Sequence, residues 1–248
     1  MGIETFRSDR LSSRAGYEIS VVSDVANLGP DQRRLVLSLY DVVANEIWIK
    51  SPNWFEENGS GFFPADAKIF VVKDGEDPVG FSVARRFDVA TGSVLFRWFT
   101  NIRPRYQNKG VLRDITSALL KGEMETSDTL PYYAFRTRNP LRWLIATRIA
   151  KRIVPDFVNS SYHPDLMHTA QLVAGKVYPA CNYDAETLAV ADAYPPGDGY
   201  QAPKHLNDET LDARFYTHPG ISNPSGALIV VAELDRQKVS AEAQSASL

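Results

Sequence analysis

The chain has 248 residues, of which 44% are hydrophobic and 23% charged, a composition typical of a globular protein with an ample core. Its formal net charge of −3 gives no reason to expect binding to nucleic acid or to an anionic membrane. The lone cysteine excludes an intramolecular disulfide and a cysteine-rich zinc site, and the histidines have no compact ligand spacing. No apolar run approaches membrane-spanning length and the first residues lack a secretory apolar core, so we expect a cytoplasmic protein without a metal, membrane or nucleic-acid partner.

The first part of the chain predicts a strand, a helix and a three-stranded meander. Residues 17–22 predict the first strand, and Pro30 opens a helix whose apolar residues recur at helical spacing. Residues 51–64 are rich in Gly, Pro and aromatic residues and indicate a loop. The meander strands are predicted at residues 68–73, 78–87 and 94–102.

The second part predicts further helices and strands. They are a helix at residues 111–125, a strand at 132–137, a helix at 139–153, a helix at 165–177 and an apolar strand at 227–234. Residues 178–203 are rich in Pro, Gly and Tyr and indicate a long ordered loop. Residues 237–248 are small and polar and predict a disordered tail.

The most informative segment runs from Ile102 to Arg113, between the third meander strand and the helix that follows. A strand, a polar turn, a glycine and a helix in this order point backbone N–H groups and a helix N-terminus at one place, which favours phosphate binding. Gly110 allows the backbone to approach a ligand without an intervening side chain. The alternative is an ordinary strand–turn–helix connection.

At these residues the chain resembles the GNAT superfamily of acyl-CoA-dependent N-acyltransferases. The family signature is a small apolar residue, any residue, Pro, two residues, and then Gln/Arg-x-x-Gly-x-Gly/Ala. It stands here as Ile102-x-Pro104 followed by Gln107-x-x-Gly110-x-Leu112. Leu112 departs from the pattern, because the family usually has Gly or Ala at that position.

The resemblance covers about residues 17–153 and is strongest over residues 94–140. It implies an α/β (α+β) fold with a mixed, mostly antiparallel sheet flanked by helices. We expect a single GNAT-like domain over residues 1–236, with its core at 17–153, an insertion at 155–225 and a closing strand at 227–234.

The resemblance also implies acetyl-CoA or another acyl-CoA as the co-substrate. The amides from about Asn108 to Arg113 would hold the CoA pyrophosphate, and strand backbone with Asn139 would bind the pantetheine arm. Asn139 before Pro140 is equally a good helix N-cap, and the two roles are compatible. The expected CoA-binding residues are Thr100, Asn101, Ile102, Gln107, Asn108, Lys109, Gly110, Val111, Leu112, Arg113 and Asn139.

The implied reaction is attack of a neutral amine on the thioester carbonyl, so a base or a water chain must take the amine proton. In much of the family a Tyr in the helix after Asn139 protonates the leaving thiolate, whereas this sequence has Ala146 at the matching position. The remaining hydroxyls considered as the acid are those of Thr147, next to Ala146, and of Tyr132 and Tyr133 on the preceding strand. No catalytic residue is identified from the sequence, and the weak candidates are Tyr133, Thr147 and Glu46.

The acceptor side is expected near the end of the first helix and in the loop after it. Carboxylates that could hold a cationic acceptor are Glu46, Glu56, Glu57 and Asp66, and aromatic residues that could wall a pocket are Trp48, Trp54, Phe55, Phe62 and Phe63. Solvated surface carboxylates and core packing are the alternatives. A basic run from Arg136 to Arg152 is either a solvated face or a contact for the 3′-phosphate of CoA.

The leading functional prediction is transfer of an acyl group, acetyl in the first instance, from acyl-CoA to an amine of a small molecule or peptide. One alternative is a catalytically silent acyl-CoA-binding sensor or scaffold, and another is an acyltransferase with a non-CoA donor. Residues 155–224 are expected to pack over the acceptor side or to form a homodimer contact. The alternative is a surface lobe without such a role.

Overall fold

The structure is a computed structural model of the chain. It describes residues 8–12, 16–47, 62–126, 129, 131–179, 182–194 and 205–245. Most of the predicted loop at residues 51–64 lies outside these ranges. So do five of the predicted acceptor residues, namely Trp48, Trp54, Phe55, Glu56 and Glu57.

The described residues form both strands and helices. The strands are β1 (Ser8–Ser12), β2 (Glu18–Val22), β3 (Ala67–Asp74), β4 (Asp77–Val89), β5 (Gly92–Ile102), β6 (Tyr132–Thr137), β7 (Ala150–Val154), β8 (Tyr183–Asp184), β9 (Ala189–Val190) and β10 (Ala227–Leu234). The helices are α1 (Pro30–Ala44), α2 (Val111–Thr126), α3 (Pro140–Ile149), α4 (Pro164–Val177), α5 (Glu209–Tyr216), α6 (Pro219–Ser222) and α7 (Arg236–Ser245). Short 3₁₀ turns occur at Val25–Asn27 and Pro104–Tyr106.

The chain divides into two compact units. The first contains the described residues up to Arg86, then Arg97–Thr126 and the residues from Ser240. The second contains Phe87–Phe96 and the described residues from 129 to Val239. The predicted phosphate turn therefore lies in the first unit, whereas Asn139 lies in the second.

The sheet of the first unit is built from β1 to β5 in sequence order. Val71 of β3 is paired with Phe81 of β4, and both belong to a core cluster that also contains Tyr40 of α1. The neighbouring Val72 is also buried, on the opposite face of the strand, where Gly80 of β4 approaches it. Because side chains alternate along a strand, a buried run such as β3 requires cover on both faces.

The second unit is organised around β10, whose residues are almost all buried. Along one edge β10 pairs antiparallel with β6, with Val230 opposite Phe135. Along the other edge it pairs first with β9 and then with β7, with Leu228 opposite Ala189 and Val231 opposite Val154. Helix α4 packs on β10 and β7.

The predicted fold class is confirmed, since the strand pairs described in each unit are antiparallel and helices accompany them. The predicted helix at 111–125 and the predicted strands at 132–137 and 227–234 match the observed elements to within one residue. The predicted meander and the helices beginning near Pro30 and Asp165 are also confirmed.

Three elements differ from the sequence predictions. The helix predicted over residues 139–153 ends at Ile149, and Ala150–Val154 is a strand because its apolar residues pair with β10. The tail predicted to be disordered over 237–248 forms α7 up to Ser245. Its start is capped by Asp235, whose carboxylate accepts from the amides of Gln237 and Lys238, and Val239 is buried.

The third difference is the segment predicted as one long loop at residues 178–203, which contains the short β8–β9 hairpin. Helix α4, which precedes this segment, packs into the second unit. Thr169 of α4 donates its hydroxyl to Thr91 at 2.9 Å, and Leu166 and Val173 of the same helix are fully buried. Residues 164–177 are thus part of the core of the second unit.

Within the described ranges, no helix combines the length and the apolarity needed to cross a membrane. Among the same residues, no cluster of three or more His, Cys, Asp or Glu side chains could hold a metal ion.

Candidate donor-binding turn

The segment between β5 and α2 forms a tight turn with two left-handed residues. Pro104–Tyr106 makes one turn of 3₁₀ helix, and the Gln107 amide donates to the Pro104 carbonyl at 3.2 Å. Asn108 has φ 62° and Gly110 has φ 86°, values that Asn and Gly tolerate better than other residues. The Asp114 amide donates to the Gly110 carbonyl at 3.0 Å, so the helical bonding of α2 begins at Gly110.

This geometry leaves the first amides of α2 without helical partners. An α-helix provides no acceptor for its first four N–H groups, which here are those from Gly110 to Arg113. The aligned peptide dipoles of the 16-residue helix add partial positive charge at the same end. An anion at this turn would meet several donors and a favourable potential.

Two basic side chains flank the amides. Lys109 is exposed and its ammonium lies 5.2 Å from the Tyr106 ring centroid. A guanidinium nitrogen of Arg113 lies 3.9 Å from the position that a Cβ on Gly110 would occupy. Asp114 in the first turn of the helix carries opposite charge, but its side chain is buried.

Gln107 has a structural role in closing the turn. Its side-chain amide nitrogen donates to the Ile102 carbonyl at 3.0 Å, which ties the end of β5 to the turn. Since the same carbonyl carries a second lone pair, it is still able to accept from a ligand. The sequence placed Gln107 at the site but did not indicate this contact.

The side chains of Thr100 and Asn101 point into the first unit. The Thr100 and Ser82 hydroxyls are hydrogen bonded at 2.8 Å, and the Asn101 side chain donates to the Tyr40 hydroxyl at 3.5 Å. Both residues are buried. Any contact that Thr100 and Asn101 make with a ligand would therefore come from their backbone, as the resemblance implied.

Val111 and Leu112 begin α2 with apolar side chains. Val111 is buried against Gly80 of β4, and Leu112 is half-buried with its carbonyl accepting from the Thr116 hydroxyl at 2.7 Å. Leu112 therefore occupies a position at which the turn geometry is kept despite the larger side chain.

The side chain of Arg103, immediately before the turn, was not among the predicted site residues. Its guanidinium donates to Glu46 at 2.6 Å through Nε and to Asp77 at 2.5 Å and the Pro78 carbonyl at 3.2 Å through Nη1. The hydrogen bonds to Glu46 and Asp77 raise the pKa of Arg103, so it remains charged. Arg103 adjoins the signature in sequence, but nothing local in the sequence links it to Asp77.

Each weak catalytic candidate has a structural partner. The hydrogen bond from Arg103 lowers the pKa of Glu46, which makes this carboxylate a poorer base. The Thr147 hydroxyl donates to the Leu144 carbonyl at 2.7 Å, and the Tyr133 ring is buried beside Phe135. Ala146, where the family acid would stand, is fully buried.

Asn139 forms the N-cap that the sequence predicted. Its side-chain oxygen accepts from the Leu141 amide at 2.9 Å, and its own amide donates to the Thr137 hydroxyl at 2.8 Å. Pro140 occupies the first helical position. A pantetheine contact by Asn139 stays a prediction.

Of the predicted acceptor residues, four are described, and one of them is Glu46, the partner of Arg103. Phe62 is a core residue, packed edge to face on Tyr40 with ring centroids 4.7 Å apart. Phe63 is half-buried beneath the guanidinium of Arg33. Asp66 has a cationic partner within the chain, since the single N–H of Arg85 Nε is shared between its two carboxylate oxygens at 3.1 Å each.

The basic run from Arg136 to Arg152 serves largely as internal structure in the second unit. Arg136 donates to the Ala193 carbonyl and lies over the rings of Tyr178 and Tyr194. Arg152 is bound by Glu233 and Asp165. These contacts account for two members of the run without a CoA phosphate.

Tyr132, the remaining residue considered as an acid, borders a pocket of about 300 Å³ in the second unit. The pocket is lined by Thr91, Gly92, Ser93, Thr129, Pro131, Tyr132, Arg152, Glu233 and Leu234.

No family model matches the chain, and no curated protein matches it. Solved structures do match it at low identity. The ribosomal-protein-S18-alanine N-acetyltransferase from Escherichia coli is 12% identical, with 88% of this chain and 94% of that chain covered and a TM-score of 0.41. An aminoglycoside N-acetyltransferase in complex with CoA is 15% identical, with 55% and 87% covered and a TM-score of 0.39. The GNAT domain of S. lividans PAT is 13% identical, with 56% and 82% covered and a TM-score of 0.40.

The element order from β2 to α3 is the one that the sequence resemblance implied, and a turn with Gly110 at positive φ precedes α2. In both respects the chain has a GNAT-like fold.

Proposed function

We propose that this protein transfers an acyl group from acyl-CoA to an amine. The observation that carries the proposal is the turn from Gln107 to Arg113, in which Gly110 has φ 86° and the first amides of α2 lack helical acceptors. Lys109 and Arg113 add positive charge beside these amides. A pyrophosphate bound here would receive backbone hydrogen bonds and be favoured by the helix dipole.

The proposed reaction needs few protein groups. A neutral amine attacks the thioester carbonyl carbon, the C–N bond forms as the C–S bond breaks, and the amine proton is lost to solvent while CoA leaves as thiolate or thiol. A backbone N–H can stabilise the negative charge that develops on the carbonyl oxygen. Water can remove the amine proton, so a side-chain base such as Glu46 is not required.

A catalytically silent acyl-CoA-binding module is the second candidate. It is favoured by the buried Ala146 at the position of the family acid and by the ion pair that occupies Glu46. Both candidates use the same donor site, and they differ only in whether the bound thioester is consumed.

The experiment that separates them measures thiol release from acetyl-CoA with and without a panel of small amines and N-terminal peptides, together with calorimetric CoA binding. Amine-dependent thiol release supports the acyltransferase. CoA binding without thiol release for any amine supports the silent module, and absence of CoA binding by folded protein contradicts both.

A further inference from the structure

The leading half of the donor-binding turn is attached to the first residues of β4 through Arg103. The Arg103 amide donates to the Val79 carbonyl at 3.0 Å. Its guanidinium donates to Asp77 at 2.5 Å and to the Pro78 carbonyl at 3.2 Å. Three consecutive residues of β4 therefore accept hydrogen bonds from Arg103.

Two further side chains of the turn contact the same β3–β4 hairpin. Arg105 donates to the second oxygen of Asp77 at 2.5 Å, and the Tyr106 hydroxyl donates to Asp74 at 3.1 Å. All three side chains precede Gln107, so none belongs to the stretch whose amides face the proposed phosphate site. The carboxylates of the hairpin thus hold the first half of the turn, and their contacts do not include the amides from Gly110 to Arg113.

Arg103 also has a partner on a different element. Its Nε donates to Glu46, just after α1, at 2.6 Å. The Glu46 and Asp77 side chains are similarly exposed, at 38% and 40%, whereas that of Arg103 is 11% exposed. The two carboxylates therefore offer a matched comparison, because they share a partner and an exposure but belong to different elements.

Building on the proposed function, we propose that Arg103 is a positioning residue for CoA, which fixes the amides of the turn through Asp77 and Pro78 without touching the ligand. The hydrogen bond with Asp77 is the one required for CoA affinity, because Asp77 belongs to the strand that also contacts the turn through Val79 and Gly80. The hydrogen bond with Glu46 is not required for CoA affinity, because Glu46 lies just after α1 and contacts only the guanidinium of Arg103. Loosening a preorganised site weakens binding even when no ligand contact is removed.

The test measures calorimetric affinity for CoA and for ADP, which carries the pyrophosphate without pantetheine, with the full chain at a temperature where each variant is folded. Asp77→Asn is expected to weaken both ligands by about tenfold, and Glu46→Gln by less than about threefold. Arg105→Gln removes the other contact of Asp77 and is expected to resemble Glu46→Gln. Arg103→Lys keeps one ion pair and is expected to recover part of the affinity that Arg103→Met loses.

The outcomes are distinct from those that test the proposed function. If the wild-type protein binds CoA and the Asp77→Asn and Arg103→Lys variants both bind it as tightly as the wild type, Arg103 is merely structural and the inference is wrong. Equal losses of CoA affinity in Asp77→Asn and Glu46→Gln also overturn it, since the contact with β4 would then matter no more than the contact with Glu46. If Arg103→Met does not fold, Asp77→Asn and Arg103→Lys still decide the question. Failure of wild-type protein to bind CoA would instead contradict the proposed function.

Discussion

Gly80 of β4 lies directly against Val111, the first residue of α2. A Cβ on Gly80 would stand 3.2 Å from a γ-methyl carbon of Val111 and 3.3 Å from the Cβ of Val72, closer than side chains normally pack. The absence of a side chain at residue 80 therefore sets how near the start of α2 approaches the sheet. The position of the donor-binding turn depends on that approach.

We expect Gly80→Val to destabilise the protein by about 1–3 kcal/mol, because its methyl groups overpack the contact with Val111. It should also weaken CoA binding by displacing the start of α2. Chemical denaturation and calorimetry measure the two effects. Combining Gly80→Val with Val111→Ala restores room at this contact, and failure of the double variant to recover any CoA affinity would contradict the explanation.

Arg138 holds the segment that leads into β10. It donates to the carbonyls of Asn223 and Gly226 at 2.5 Å and to that of Ile221 at 2.8 Å. Replacing it by Met would leave these acceptors without the cation, and hydrogen bonds to charged groups contribute about 1.5–3 kcal/mol each at most sites. We expect Arg138→Met to lower the free energy of unfolding by about 2–3 kcal/mol.

Arg148, which is exposed on α3, provides the control for Arg138. Arg148→Met should change the free energy of unfolding by no more than about 0.5 kcal/mol. Equal effects of the two substitutions in urea unfolding would show that the three carbonyl contacts of Arg138 contribute nothing particular.

We expect His218 to make the stability of the protein depend on pH. Its Nδ1 accepts from the Gly220 amide at 3.2 Å, and its ring lies 5.7 Å from that of Phe157, so the neutral form is required. Burial lowers the pKa of His218 below its ordinary value of 6.5. Between the lowered pKa and 6.5 the unfolded chain therefore binds more protons than the folded one. The contribution of His218 to the free energy of unfolding is fully present above that pH range and declines as the pH falls through it.

His218→Asn tests this dependence, because Asn also caps a helix but does not titrate. The variant should show a smaller loss of stability than the wild type when urea unfolding is compared at pH 7 and at about pH 5.5. His168→Asn, at an exposed position, should leave the wild-type dependence in place. An unchanged pH dependence in His218→Asn would exclude His218 as its source.

If the protein turns over acyl-CoA, Tyr133→Phe and Thr147→Val should each reduce kcat by less than about tenfold, because general acid catalysis typically contributes a hundredfold or more. The Thr147 hydroxyl is bound to the Leu144 carbonyl, and Tyr133 is buried. The pH profile of kcat/KM should then rise with deprotonation of the amine. A loss of about a hundredfold in kcat with an unchanged KM would instead identify that side chain as the acid.

Local signals made the backbone geometry of the turn before α2 predictable, whereas its binding of CoA stays a prediction. Pro104, Gly110 and the helical period after Val111 all lie within a short stretch, and each restricts the backbone by itself. The N-cap at Asn139 was predictable for the same reason. The single-domain boundary and the role of residues 155–224 remain predictions.

Contacts between distant residues account for what the sequence did not show. Ile153 and Val154 continue an apolar pattern that suits a helix, and they form a strand because β10 offers a partner far along the chain. Likewise, Asp77 is an ordinary turn residue in sequence, and its hydrogen bond with Arg103 forms only because the fold brings β4 beside the end of β5.

Calorimetric titration of CoA into wild-type protein, Gly110→Asp and Gly110→Asn tests the central claim most directly. Asp at residue 110 would place negative charge beside the pyrophosphate, whereas Asn is uncharged and tolerates the positive φ. The account predicts that the wild type binds, that Gly110→Asn binds less tightly, and that Gly110→Asp loses about tenfold more affinity than Gly110→Asn while remaining folded. Folded wild-type protein that gives no heat of CoA binding, or equal affinity in all three proteins, would contradict the assignment of this turn as the donor site.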